Sequence, residues 1–415
     1  MSHYCRQLVF LIRHSILRVY DMMEWENWSG SLKFSPAQFV TPDHEEYLRD
    51  IVARQSAKGG KIKLAAAGHS SSPLVETDGL LVHLNQMKGI KNIHHNGTAT
   101  LYAGTTVHES NMLLQQHNLA LFNTGDVDVQ TLAGAISTGT HGSGRRLQNL
   151  AAVLKGVRMI DYKGDVHDFN DDKNADVMKA MRVSLGAFGI FTEITVAVVP
   201  LFQLHRTEMF TDTNTCVENF EQLANVNRNV DFYWYPRSDE TKIRILNEPG
   251  KGTDQFHFSY YCRKDEAGNV GEILPKKRTL KFDEMEYALP WEAGLSCFEE
   301  VRKRVKARHR KNVAWRILVR SIAADENYLS PHQGRDSISI SLHHNAGLPY
   351  EAYFNDIEPI FIAYGGRPHW AKKHNMRSTQ LQKLYPRWNE FHALRKKIDP
   401  NGFYMNNHLK EVFEK

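Results

Sequence analysis

Cysteine is scarce in this sequence of 415 residues, and the four that occur lie too far apart to form a Cys-x-x-Cys pair: Cys5, Cys216, Cys262 and Cys297. Their spacing argues against a structural zinc site and against a disulfide framework. Isolated thiols of this kind are typical of a reducing compartment, so the sequence favours the cytoplasm.

Long apolar segments are also lacking. The apolar stretch at 8–17 is interrupted by Arg13 and His14. A membrane-spanning helix requires about 20 apolar residues, and no cleavage site of small residues follows this stretch. The sequence therefore predicts neither an integral membrane segment nor a signal peptide, and residues 1–25 are interpreted as an N-terminal extension.

No charge of one sign dominates, because 52 basic residues face 47 acidic ones and leave a net charge of +5. The densest basic run, 302–311, has the pattern of a helix with one solvated face. A nucleic-acid partner would require a concentrated basic surface, so none is expected.

The length exceeds what one hydrophobic core usually organises, so two domains are expected. Up to Pro200, strands alternate with helices such as 106–117, in which Met112 is expected to face inward. After Pro200, period-2 runs predict an antiparallel sheet, and a short tail closes the chain. These runs are 232–235, 242–246, 256–261, 281–289, 313–322 and 337–343.

Two runs of small residues stand about seventy residues apart in the first half: Ala65-Ala66-Ala67-Gly68-His69-Ser70-Ser71 and Gly139-Thr140-His141-Gly142-Ser143-Gly144. Glycine adopts positive φ without steric cost, and small residues let the backbone approach a ligand. Successive backbone N–H groups in such turns form an anion-binding concavity. Together the two runs predict a large phosphate-bearing cofactor that is held at two places.

Five segments together resemble the sugar-1,4-lactone oxidases (gulonolactone and arabinonolactone oxidases) and the alditol oxidases, flavoproteins of the vanillyl-alcohol-oxidase superfamily. They occur in the family's order: Asn27-Trp28-Ser29-Gly30, Gly68-His69-Ser70, Thr138-Gly139-Thr140-His141-Gly142-Ser143-Gly144, Val183-Ser184-Leu185-Gly186-Ala187 and Arg367-Pro368-His369-Trp370-Ala371-Lys372. The resemblance implies an α+β fold in which a two-part FAD-binding domain carries an inserted antiparallel-sheet cap domain. It places the FAD-binding domain at 26–200, the substrate-binding cap at 201–366 and a C-terminal return at 367–415.

The resemblance also implies which residues bind FAD. They are Ala65, Ala66, Ala67, Gly68, His69, Ser70, Ser71, Thr131, Gly134, Ile136, Thr138, Gly139, Thr140, His141, Gly142, Gly189 and Ile190. His69 matches the position at which many family members bond the flavin 8α carbon to imidazole, a neutral nucleophile near physiological pH. A covalent FAD is therefore expected, and a histidine packed beside noncovalent FAD is the alternative. The His141 side chain is assigned no chemical role.

Two cations match the catalytic groups of the family. Arg320 matches the arginine credited with stabilising the negative charge of reduced flavin, and Lys372 matches the active-site lysine. Counting without gaps places Ser341 and His343 where alditol oxidases carry a histidine and a threonine. Thr131 falls where they carry a serine beside the flavin.

Position 318 departs from the family pattern. Relatives carry a glutamate two residues before the arginine, whereas this chain carries Leu318, which neither binds a hydroxyl group nor accepts a proton. This departure weakens the alditol interpretation, and Glu286 is an alternative source of the missing carboxylate. The proton acceptor stays open among His343, His344 and Lys372. The predicted substrate residues are Thr131, Leu318, Ser341 and His343.

The pair His343-His344 does not indicate a metal site. Adjacent strand residues point to opposite faces, so only one of the two can enter the site, and no third ligand is suitably spaced.

The leading interpretation is an FAD enzyme that oxidises a hydroxyl-bearing carbon of a sugar lactone, aldose or polyol by hydride transfer to the flavin. Oxygen or another acceptor then reoxidises the flavin, and the sequence leaves oxidase and dehydrogenase open. The alternatives are an alditol oxidase and a flavin-binding protein without sugar turnover. Leu318 favours the latter, whereas His69, Arg320 and Lys372 oppose it.

Overall fold

The structure is a computed structural model that describes residues 11–12, 15–16, 24–253, 255–274 and 279–414. Cys5, most of the 8–17 stretch with Arg13 and His14, and most of the extension predicted at 1–25 lie outside these residues. Among the helices described, none combines the length and the apolarity that crossing a membrane requires.

The first half of the chain holds short strands and four helices among its described residues. They are β1 (Leu11–Ile12), β2 (Ser15–Ile16), β3 (Trp25–Glu26), β4 (Lys33–Phe34), β5 (Gln38–Val40), α1 (Glu45–Ala57), β6 (Ile62–Ala65), β7 (Leu80–His83), β8 (Ile90–His94), β9 (Thr98–Tyr102), α2 (Val107–Gln115), β10 (Leu119–Ala120), α3 (Leu132–Ser137), β11 (Leu154–Ile160), β12 (Val166–Asn170), α4 (Asp171–Met181), β13 (Ile190–Ala197) and β14 (Val199–Pro200).

Two sheets organise this half. A parallel sheet has the strand order β5-β7-β6, and an antiparallel sheet has the order β12-β11-β13-β9-β8. Local signals fix the helices between them. Thr106 and Glu109, for example, form a capping box at the start of α2, which satisfies backbone N–H groups that the first turn leaves open.

The second half begins with long strands. They and the later helices are β15 (Gln203–Asp212), α5 (Thr213–Val226), β16 (Asn229–Tyr235), β17 (Glu240–Asn247), β18 (Tyr261–Asn269), α6 (Val270–Ile273), β19 (Phe282–Pro290), α7 (Trp291–Arg308), β20 (Ile317–Ile322), β21 (Ser337–Asn345), α8 (Glu351–Ala363), β22 (Arg367–Pro368), α9 (Ser378–Leu384), α10 (Trp388–Ile398) and α11 (Asn407–Phe413).

The cap is one antiparallel sheet with the strand order β18-β15-β17-β16-β20-β21-β19-β22. Helices α5 and α7 cover one face, where Phe232 meets Phe220 at 5.2 Å and Phe298 at 5.1 Å between ring centroids. Because side chains alternate along a strand, the next residues, Asp231 and Tyr233, face the first half of the chain. The opposite face of the sheet is therefore available for a site.

The segment after the cap returns to the first half. Phe391 of α10 packs edge-on against Phe188 at 5.1 Å, and the Tyr404 hydroxyl donates to the Ile160 carbonyl at 3.2 Å. Lys63 of β6 donates to the Tyr404 carbonyl at 3.1 Å. The C-terminal segment thus contributes side chains to the core of the first half.

Several element predictions are wrong. Residues 256–260 form no strand, since β18 begins only at Tyr261. Met112 is 48% exposed, and Leu114 fills the inward position of α2. Only a short tail is predicted after the cap, whereas this part of the chain contains α9, α10 and α11, and β22 pairs with β19 of the cap sheet.

Candidate active site

A pocket in the first half is lined by the turn after β6 and by the segments 83–85, 130–138 and 184–191. Its lining includes most of the predicted cofactor residues: Ala65, Ala66, Ala67, Gly68, His69, Ser70, Thr131, Gly134, Thr138 and Gly189. Ile136 and Ile190 are instead buried in the core behind it. Among the described residues, Gly139, Thr140, His141 and Gly142 stand outside the lining, and Ser71 lines a second pocket.

The two glycine runs require glycine for different reasons. Gly68 has φ +67°, and a Cβ there would lie 3.2–3.3 Å from Trp25 and Trp28. Gly142 does not adopt positive φ; it is required because a Cβ would lie 2.4 Å from the Thr124 carbonyl oxygen. Small residues and exposed backbone along the pocket suit a flat cofactor that must lie close to the main chain, so the residues present fit FAD.

Thr131 has a structural task besides lining the pocket. Its hydroxyl oxygen accepts the backbone N–H of Gly134 at 3.2 Å and so caps α3. The positive end of this short helix therefore opens on the pocket lining.

His69 connects the pocket with the cap sheet through aromatic rings. Trp28 stacks on His69 with ring centroids 4.7 Å apart and meets Phe282 of β19 edge-on at 5.1 Å; Phe282 meets His343 at 4.8 Å. Burial, reinforced by the nearby Lys372 ammonium, lowers the pKa of His69 to about 4. The imidazole is therefore neutral at physiological pH.

The inward face of the cap sheet brings the predicted catalytic residues together. Register pairs Leu318 with Ser341 and Ser341 with Glu286, so these three form one row across β20, β21 and β19. His343 pairs with Glu284 in the next row. Strand pairing thus assembles a site from residues that are far apart in sequence.

Arg320 lies at the centre of this face. Its Nη2 donates to Glu286 Oε1 at 2.7 Å and to the Ser341 hydroxyl at 3.4 Å, and its Nη1 donates to the His141 carbonyl at 3.0 Å. Burial would lower the pKa of Arg320, but the carboxylates around it, above all Glu286, raise it from its ordinary value. Arg320 is therefore a fixed positive charge.

Lys372 and His343 share one carboxylate. Lys372 Nζ lies 2.6 Å from Glu284 Oε2, and His343 Nε2 lies 3.6 Å from Glu284 Oε1. Burial raises the pKa of Glu284, but Lys372 and His343 outweigh this and keep it below the ordinary value. Glu284 is a carboxylate that joins two of the three predicted catalytic residues.

Glu286, the alternative carboxylate, lies within the cluster. Its Oε1 accepts from Arg320, from His141 Nε2 at 2.7 Å and from the Ser339 hydroxyl. Burial raises the pKa of Glu286, but Arg320 and His141 bring it well below the ordinary value. Oε2 has no hydrogen-bond partner among the described residues. The His141 side chain, for which no role is predicted, thus belongs to the same cluster.

Three of these groups lie close enough to hold a metal ion, since ligand atoms of His141, Glu286 and His369 are within 4.8 Å of one another. Their hydrogen bonds oppose this use. His369 Nδ1 accepts the backbone N–H of Ala371 at 3.1 Å, so its other nitrogen carries a proton. The Arg320 charge beside Glu286 would also repel a cation, so we assign no metal here.

His343 and His344 point to opposite faces of β21, as predicted. His343 faces Glu284, whereas the His344 ring lies 6.3 Å from the Tyr353 ring of α8. His344 is therefore not a candidate proton acceptor in the site.

Stability is expected to depend on buried neutral histidines. Burial lowers the pKa of His369 to about 3 and that of His332 well below its ordinary value. Below a pKa of about 6.5 the unfolded chain binds protons that the folded chain excludes, so stability is lost as pH falls, by about 1.4 kcal/mol per unit and group. Between pH 7.5 and 5, urea unfolding should show a loss of about 2 kcal/mol from His369, and His332 should add to this loss in the same direction.

A matched variant isolates one of these histidines. Neither ring nitrogen of His332 has a hydrogen-bond partner among the described residues, so His332→Leu removes no such bond. It should flatten the pH dependence of the unfolding free energy. A wild type that is equally stable at pH 7.5 and 5 would contradict this prediction.

Sequence reasoning missed Glu284 as a site residue and listed Glu286 only as an alternative. A signal existed, because Glu284 and Glu286 stand two residues apart in a strand that also carries Met285 and Tyr287, and glutamate is rarely buried without a partner. It also left out Gln130, Ser184 and Tyr404, which line the pocket. Tyr404 comes from the C-terminal return and has no local signal.

Comparison with known proteins agrees with this geometry. An FAD-binding-domain family model matches residues 36–170, which include most of the pocket lining. The chain is therefore an FAD-dependent oxidoreductase with an inserted cap. The D-arabinono-1,4-lactone oxidase family model matches residues 194–257 and 251–412, more than half of the chain, and the chain belongs to that family.

Individual relatives extend along almost the whole chain. An L-gulono-1,4-lactone dehydrogenase of Mycobacterium tuberculosis is 29% identical and covers 94% of this chain and 98% of its own. Mouse L-gulonolactone oxidase is 27% identical and covers 95% of this chain and 99% of its own. A Streptomyces alditol oxidase is 27% identical and covers 94% of this chain and 98% of its own. Cholesterol oxidase from Brevibacterium sterolicum has a TM-score of 0.84 at 14% identity, covering 96% and 97%, which shows a shared fold alone.

Proposed function

We propose that the protein oxidises a hydroxyl-bearing carbon of a sugar lactone with covalently held FAD in the cytoplasm. The observation that carries this proposal is the path from the cofactor pocket through His69, Trp28 and Phe282 to His343, beside Lys372 and Arg320. The lactone-oxidising relatives support the substrate class. The electron acceptor, oxygen or another oxidant, is left open.

The pocket residues, among them Gly68 and Thr131, would hold FAD, and the bound group would supply an acceptor for a hydride from the substrate carbon. The chain supplies the charges for this transfer. Arg320 is a preorganised cation that stabilises negative charge as it develops, without reorganisation at the moment of reaction. Lys372, paired with Glu284, donates hydrogen bonds and so orients a substrate oxygen.

His343 is the proposed acceptor of the substrate hydroxyl proton. Lys372 donates a hydrogen bond to Glu284, and His344 faces α8, so His343 is better placed than either to accept a proton. Glu284, 3.6 Å from His343 Nε2, stabilises the imidazolium that forms.

Covalent attachment at His69 is the first test. We expect that acid-precipitated wild-type protein keeps its flavin fluorescence, because the neutral imidazole is a competent nucleophile. His69→Ala should release all flavin into the supernatant. His83→Ala, a histidine that also lines the pocket, is the matched control and should retain it. Free FAD released from wild type would refute the linkage.

The reaction itself is tested by anaerobic bleaching. Purified protein should be yellow, and an aldonolactone in a panel of lactones, aldoses and alditols should bleach it within a turnover. A yellow protein that no member of the panel reduces would instead favour flavin binding without sugar turnover, the interpretation that Leu318 supports.

A further inference from the structure

Glu286 and Arg320 close a hydrogen-bonded ring between the cap and the cofactor domain. Arg320 Nη2 donates to Glu286 Oε1 at 2.7 Å, and Arg320 Nη1 donates to the His141 carbonyl at 3.0 Å. His141 Nε2 completes the ring at 2.7 Å from the same Glu286 oxygen. All three side chains are buried, so the ring is shielded from water and salt.

Both nitrogens of the His141 ring are engaged in this arrangement. Nδ1 lies 2.9 Å from the Gly142 carbonyl oxygen, and Nε2 faces the Glu286 carboxylate. The carboxylate of Glu286 thus contacts one side chain of the cap, Arg320, and one of the cofactor domain, His141.

The position of Glu286 in the sheet relates it to the missing glutamate. Leu318, Ser341 and Glu286 occupy one row across three adjacent strands. A carboxylate at 318 would lie beside Arg320 on its own strand, whereas Glu286 reaches Arg320 from two strands away. Glu286 therefore pairs with Arg320 from the same row of the sheet as position 318, but from a different strand.

We propose that Glu286 is a positioning residue, which holds Arg320 against the turn at 139–142 by binding both Arg320 and the His141 side chain. This inference rests on the proposed function, which gives Arg320 its catalytic role. An alternative partner shows why Arg320 needs to be held. Asp231 lies opposite Arg320 in register, with its carboxylate bound by Arg244 at 2.6–3.0 Å. Without Glu286, Arg320 would turn toward Asp231 and away from His141.

A double-mutant cycle tests this role. Glu286→Gln keeps the size and one acceptor oxygen but removes the charge, so flavin reduction by an aldonolactone should slow about 10-fold, with substrate affinity changed little. In the Arg320→Ala background the same change should have no further effect, because Glu286 acts through Arg320. Leu318→Glu should restore part of the rate in Glu286→Gln but not in Arg320→Ala.

Glu358→Gln is the matched control. Glu358 of α8 is also buried. It accepts hydrogen bonds from the Tyr287 hydroxyl at 2.6 Å and from two N–H groups of Asn375, but it lies on the helix-covered side of the cap sheet. It should lower the melting temperature without slowing reduction. If Glu286→Gln behaves likewise, or if its effect adds to that of Arg320→Ala, Glu286 is merely structural and the proposal is wrong.

Sulfite supplies a readout that needs no sugar. It adds to oxidised flavin and leaves a negative charge there, so its dissociation constant should rise about 5-fold or more in Glu286→Gln and stay unchanged when Arg320→Ala is already present. Tighter sulfite binding would mean that Glu286 only neutralises Arg320, and would overturn the proposal. A wild type that binds sulfite but that no lactone reduces would refute the proposed function alone.

A second variant guards against misfolding of Glu286→Gln. His141→Gln removes the imidazole ring but leaves the carboxylate and Arg320. It should slow reduction and weaken sulfite binding in the same direction, again without adding to Arg320→Ala. Unchanged sulfite binding in a folded His141→Gln protein would contradict the proposed link between the domains.

Discussion

Arg320→Ala should slow reduction of the flavin by an aldonolactone at least about 100-fold, the scale of losing one preorganised charge-stabilising group. The cation is buried and held by Glu286 and the His141 carbonyl, so it is in place before the reaction begins. Water cannot replace it at such a site. Anaerobic stopped-flow measurement of the limiting reduction rate checks the prediction.

Two further variants separate charge from stability. Arg320→Lys keeps the positive charge but loses the forked contacts, so it should fall between wild type and Arg320→Ala. Arg206→Ala removes another buried arginine of the same sheet, one that pairs with Glu208 on β15 far along the strand order. It should destabilise the cap without changing the reduction rate. Reduction at the wild-type rate in Arg320→Ala would remove Arg320 from the mechanism.

The fold class and the cofactor domain could be predicted because their signals are local. The turn at Gly68 follows a short strand, and its positive φ and close packing require glycine whatever the rest of the chain does. The family motifs add the order of the domains. Helices such as α2, with its capping box, are likewise set by neighbouring residues.

The missed elements show the limits of periodicity. The sequence does not predict β15, since Gln203–Asp212 mixes polar and charged residues. Arg206 is buried there because Glu208 and the Ile273 carbonyl accept its hydrogen bonds. The aromatic run at 256–261 has strand-like composition, yet pairing in the sheet begins only at Tyr261. Both outcomes depend on partners far away in sequence.

The same reason explains what was missed in the site. Arg320 and Lys372 match family positions, and His343 falls where alditol oxidases carry a threonine; in the structure all three lie on the same side of the cap sheet. That Glu284 and Glu286 hold these cations depends on the register of β19 with β21, which no local pattern specifies. The His141 side chain was assigned no role because a glycine turn gives no indication of which strand it will meet.

Cyclic substrates should reduce the flavin with higher kcat/KM than xylitol or sorbitol, by about 10-fold or more. An open-chain alditol loses rotational freedom about several bonds when it binds. Ordering a comparable side chain costs about 0.5–1.5 kcal/mol. A lactone or pyranose is already rigid and offers an apolar face. Leu318 is paired in register with Tyr233, so the sheet presents an apolar wall at the position where relatives carry a carboxylate.

Leu318→Glu should shift this preference toward alditols by about 10-fold, because a hydrogen bond to a charged acceptor contributes about 1.5–3 kcal/mol. Arg316 and Arg320 precede and follow position 318 by two residues on the same face, so a carboxylate there has partners. If Glu286 already serves this purpose through Oε2, which has no hydrogen-bond partner among the described residues, Leu318→Glu should change the preference little. Leu318→Met, which conserves the apolar wall, is the control and should leave the preference unchanged.

Stopped-flow reduction by one lactone and one alditol, for wild type and both variants, measures the ratio. Faster reduction of wild type by the alditol, or an unchanged ratio in Leu318→Glu, would show that residue 318 does not select the ring.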